Sequence, residues 1–115
     1  MRPERIVLSR KAGFDLQAKS RALNGLAAQS VARPGPWGNP FTIDAVMQET
    51  GLGRRAAQAE AVARHARWLA GELEADRPRP QREEIRAALA GKNLACWCAE
   101  GSPCHVDTLL LLANT

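Results

Sequence analysis

Residues 33–41 read RPGPWGNPF, and no regular helix or central strand can pass through them. Pro34, Pro36 and Pro40 lack the amide hydrogen that such elements require, and Gly35 and Gly38 loosen the backbone between them. The segment is therefore a loop, and Trp37 and Phe41 predict an ordered one.

Before the loop, Glu4–Ser9 is a β-type run headed by Ile6 and Val7. A mixed stretch from Gly13-Phe14 leads to the turn signal Asn24-Gly25, and Ser30–Ala32 predicts a second short strand. After the loop, Thr42 or Asp44 caps a short helix over Ala45–Thr50 that ends at Gly51. Ala61, Val62, His65, Trp68, Leu69 and Leu73 recur at three- and four-residue spacing, which predicts a helix over Arg54–Glu74. A second helix over Gln81–Ala90 turns Ile85 and Leu89 inward, with Gly91 as its cap. Lys92-Asn93 then turns the chain into a buried strand, Leu94–Cys98. Ser102 as N-cap and Pro103 as first residue open the last helix, whose Leu109–Leu112 enter the core. The pattern predicts an α/β domain over residues 1–115: a short sheet with helices packed on it, and a Rossmann-like strand-to-helix site.

Composition narrows the function classes. No run approaches the roughly 18 apolar residues that span a bilayer, so no membrane role is expected. The start, MRPERIVLSRK, carries charges where an export signal needs an apolar core, and a cytoplasmic protein is the expectation. An odd cysteine count in one short stretch makes a poor disulfide framework and fits a reducing compartment. The net charge of +4 rests mainly on arginine. That allows a phosphate-bearing partner, a nucleotide or a nucleic acid, and is equally accounted for by a genome rich in G and C.

Reactive side chains concentrate in CWCAEGSPCH: Cys96, Cys98, Cys104 and His105. Strand alternation puts Cys96 and Cys98 on one face with Trp97 opposite. With Cys104 and His105 they supply the four ligands of a Cys3His zinc site. Neighbours on a helix point roughly 100° apart, however, which sets Cys104 and His105 against sharing one ion. In a nucleophile reading, Cys104 sits in the first helical turn, where the dipole favours a thiolate. His105 or Cys98 then assists, and Asp107 or Glu100 orients the imidazole. A packing reading explains Cys96 well and the Cys104-His105 pair poorly. His65, on the apolar face of the long helix, reads as core.

The loop offers ligand contacts of its own. Arg33 provides a charge-assisted anion contact, and Gly38 permits close backbone approach. Trp37 can stack on a base or ring, and Asn39, held extended before Pro40, aims its amide. The segment matches no Walker or Rossmann glycine fingerprint, and a rigid corner packed on the core is the alternative.

Together, RPGPWGNPF, GKNLACWC and PCHVD resemble the bacterial and phage family called domain of unknown function 4326. The likeness runs from Glu4-Arg5-Ile6 to Ala113-Asn114, with a departure at Val106, where the family carries a small residue. The resemblance implies that the two motifs form one functional unit and implies no reaction. The expectation is a cleft between the Trp37 loop and Cys96–His105 that binds a nucleotide-like or phosphate-bearing ligand. Arg33, Trp37, Gly38 and Asn39 would bind it, and Cys104, His105, Cys98 and Asp107 would do the chemistry. The alternative is a non-enzymatic module stabilised by zinc on Cys96, Cys98, Cys104 and His105, contacting nucleic acid or a protein.

Overall fold

The computed structural model describes residues 2–115. Strands β1 (Arg5–Val7), β2 (Ala28–Ser30) and β3 (Asn93–Cys96) form one parallel sheet in the order β1-β3-β2. Helix α1 (Leu16–Asn24) connects β1 to β2; α2 (Ile43–Thr50), α3 (Arg54–Leu69) and α4 (Arg82–Leu89) lie between β2 and β3, and α5 (His105–Ala113) follows β3. This is an α/β fold. Among the described residues, no helix is long and apolar enough to cross a membrane.

Every residue of the central strand β3 is buried, as expected of a parallel strand covered on both faces. Leu94 and Cys96 pack with Val31 against Ile85 and Leu89 of α4 and Val106, Leu109 and Ala113 of α5. Ala95 faces the other way, toward Ile6 and Ala28. A separate cluster joins Phe41 of the loop to Val46 of α2 and to Ala57, Ala61 and Trp68 of α3. Val106 is fully buried and belongs to the sheet-side core.

Several boundaries depart from the sequence reading. The mixed stretch before Asn24 contains α1, whose first turn is capped when Asp15 accepts from the Ala18 amide at 3.0 Å. Its fully buried residues are Ser20 and Asn24, polar side chains that do not read as an inward-facing apolar stripe. The second strand is Ala28–Ser30 rather than Ser30–Ala32, because its bonds to β3 run from residue 27 to residue 31. Helix α3 stops at Leu69, where the chain turns through Gly71 at φ 79°. The expected turn residue Asn93 opens β3, and β3 ends at Cys96. Finally, α5 begins at His105 with Cys104 as its N-cap. The Ser102 hydroxyl donates to the Ala99 carbonyl at 2.6 Å, so it closes a turn inside the loop and caps no helix.

Candidate functional site

The sheet order places the carboxyl ends of β2 and β3 side by side, the position where open α/β sheets bind ligands. The loop that follows β2 carries Arg33 and Asn39. The loop that follows β3 carries Cys98 and leads to Cys104. Between them and α3 lies a cavity of about 420 Å³.

Cys96, Cys104 and His105 are all buried at this cavity, and Cys98 is half-buried. The Cys96 and Cys104 sulfurs and a nitrogen of His105 lie within 4.8 Å of one another. Cys98 stands outside that trio, with its sulfur 3.7 Å from that of Cys96. His105 Nε2 donates to the Val31 carbonyl at 2.7 Å, which leaves the Nδ1 lone pair directed to the Cys104 side, 3.8 Å from its sulfur. The helical-neighbour argument against a shared ion therefore does not apply. Cys104 is an extended N-cap residue, with φ −152° and ψ 143°, and its side chain is free to converge with that of His105.

The three thiols share their protons unequally. Hydrogen bonds from Cys104 and Cys98 hold the Cys96 thiol well below the usual range. Cys104 is pushed up by its bonds to Cys96 and Cys98 and by burial. For Cys98, the bond to Cys104 lowers the value, but Cys96 and burial outweigh it and the net direction is upward. His65 packs edge-on to His105 at 5.3 Å and makes no hydrogen bond through its buried Nδ1. Burial, then the proximity of His105, pushes its pKa down to about 3, so it is a neutral core residue.

The loop between Cys98 and Cys104 is pinned from two sides. Arg5 of β1 donates to the Ala99 carbonyl at 2.7 Å and to the Ser102 carbonyl at 2.8 Å. Gln58 of α3 donates to the Pro103 carbonyl at 2.6 Å. Asp107, expected to assist the imidazole, does not reach the cluster: its side chain is 62% exposed and pairs weakly with Arg5 at 3.5 Å. Two residues beyond His105, about 200° round the helix, it faces away from the cavity.

Among the loop residues, Arg33, Asn39 and Phe41 line the cavity, and Trp37 and Gly38 do not. Trp37 packs against the sheet-side core, the fate of the rigid-corner alternative. The Asn39 amide is consumed internally, donating to the Ala61 carbonyl at 3.0 Å and accepting from the Phe41 amide at 2.9 Å. Gly38 serves Arg33: a Cβ there would lie 2.7 Å from the Arg33 Cγ and 3.0 Å from its Cα. Arg33 is further held by its bond to the Asn39 carbonyl at 2.7 Å.

Sequence reasoning missed Arg54, Gln58 and Trp97, which also line the cavity. Gln58 was findable, since it falls three and seven residues before Ala61 and His65 on the inward side of the long helix. Trp97 was assigned to the face opposite the thiols by strand alternation, which ceases where β3 ends at Cys96. Arg5 carried no local signal, because its contacts lie more than ninety residues away.

No curated protein and no solved structure matches the chain. A family model does match, over residues 16–115, and its description is a domain of unknown function. Both unusual segments, the loop over residues 33–41 and Cys96–His105, fall inside that match. The chain belongs to the domain-of-unknown-function family DUF4326.

Proposed function

We propose that this protein holds a zinc-class ion on Cys96, Cys104 and His105, at the floor of a cavity that takes a small phosphate-bearing, nucleotide-like ligand. The convergence of two sulfurs and an imidazole nitrogen within 4.8 Å carries the reading. Thiolate and imidazole are the donors that suit zinc. Metal-bound imidazoles characteristically donate their second N–H to a carbonyl or carboxylate, and His105 donates to Val31. Three protein ligands leave a coordination position, the pattern of reactive rather than purely structural zinc. A bound ion would supply Lewis acidity and an acidified water. The chain's own residues fix the imidazole tautomer, pin the loop between the cysteines and wall off the cavity.

The closeness of Cys98 to Cys96 favours a second reading, in which Cys98 closes a four-ligand zinc module that contacts nucleic acid or a protein. A metal-free reading, with Cys104 as nucleophile and His105 as base, draws on their 3.8 Å contact. Zinc analysis with thiol titration before and after chelation separates all three. The expected result is one zinc per chain with two thiols protected and one reactive. Cys104→Ser should lower zinc affinity by more than the tenfold to hundredfold typical of outer-shell changes. Protection of all three thiols would favour the closed module. Absence of zinc uptake, with one fast-reacting thiol, would overturn the metal reading in favour of the nucleophile.

A further inference from the structure

Resting on the reading of the cavity as a ligand site, we infer that Trp97 and Arg33 are its two specificity-determining residues. Trp97 grips a flat ring and Arg33 an oxyanion, and together they select a free nucleotide over its nucleoside or phosphate alone. The expected aromatic partner Trp37 has no part in it.

Charge sets one half of the selectivity. Among the described residues, Arg33 and Arg54 are the charged side chains on the cavity wall, and no carboxylate lines it. Arg54 is 69% exposed and faces Asp44 at 3.4 Å, so it is a loose contributor. Arg33 is built in. One guanidinium nitrogen is anchored on the Asn39 carbonyl, and the side-chain stem lies where any residue but glycine at position 38 would collide with it. A guanidinium held in this way keeps further N–H donors for a phosphate and loses little entropy on binding one.

Trp97 gives the second half. It is 44% exposed, the one aromatic among the exposed large hydrophobic residues described, and it borders the cavity. The Arg10 guanidinium lies over one face of its ring at 4.2 Å, and the indole keeps its exposure beside that contact. An exposed indole face at a cavity rim can stack on a planar ring. Phe41, Ile43 and Val62 continue an apolar wall into the cavity, whose volume falls within the range of small-molecule sites.

Calorimetric titration tests the inference on the full chain, zinc-loaded and after chelation. The probes are the four nucleoside monophosphates, their nucleosides, inorganic phosphate and a short single-stranded oligonucleotide. At least one monophosphate should bind about tenfold or more tightly than its nucleoside or phosphate alone. Trp97→Ala should weaken that monophosphate about tenfold and leave inorganic phosphate unchanged. Arg33→Met should abolish the preference for the monophosphate over the nucleoside. Arg33→Lys, which keeps the stem against Gly38, should still weaken it should the methionine variant fold poorly. Three results would overturn the inference: no saturable monophosphate binding, binding unaffected by both positions, or oligonucleotide binding alone. Monophosphate binding by protein that never takes up zinc sinks the metal reading and spares this one. Zinc uptake without monophosphate binding does the reverse.

Discussion

Asn93 spends every hydrogen-bonding capacity of its side chain inside the protein. Its Nδ2 donates to Ser20 Oγ at 2.7 Å and to Asn24 Oδ1 at 2.8 Å. Its Oδ1 accepts from the Glu4 amide at 2.8 Å and from Asn24 Nδ2 at 2.9 Å. A fully buried amide is tolerated only when satisfied in this way. Replacing Asn93 with Leu strands donors and acceptors on Glu4 and on Ser20 and Asn24 of α1, and urea denaturation should register a loss of about 3 kcal/mol or more. A loss under about 1 kcal/mol would show that the network contributes little. Locally, Lys92-Asn93 reads as a turn, since asparagine's preferences are those of turns and its partners lie far along the chain. The same limit governs Cys104 and His105. Their residue types mark the site, but whether two neighbours converge depends on one backbone conformation, and Cys104 is extended.

At the scale of elements, strand β1 acts on the cysteine loop through Arg5. Its side chain is 15% exposed and bridges the carbonyls of Ala99 and Ser102, holding Cys104 against the end of β3. Arg5 lies before residue 16, where the family match begins. Arg5→Met should weaken zinc affinity about tenfold, the scale of an outer-shell change, and Arg5→Lys should restore part of it. Should stability fall while zinc affinity holds, Arg5 merely braces the fold. Elements with an apolar period were legible: α3 and α4 follow from Ala61, Trp68, Ile85 and Leu89, all of which are buried. Helix α1 was not, because Ser20 and Asn24 face its core and its stability comes from caps and tertiary hydrogen bonds. The start of α5 was misplaced because Ser102 and Pro103 satisfy a helix-start rule that the pinned loop overrides.

In the whole molecule, the order β1-β3-β2 brings two sequence-distant loops to one end of the sheet. Both motifs were visible as unusual segments, and the cavity does lie between them. Gln58 was legible on the inward side of α3, but three other choices were not: Trp37 turns to the core, Asp107 to solvent and Trp97 to the cavity. Those choices are made by packing across the sheet, which no local pattern encodes. On the proposed reading, the convergent sulfurs and imidazole hold a metal while keeping a position open to that cavity. Zinc X-ray absorption on the loaded protein tests this. The expected shell has two sulfurs at about 2.3 Å, one imidazole nitrogen at about 2.0 Å and one further light atom. A shell of oxygen and nitrogen without sulfur would contradict the claim.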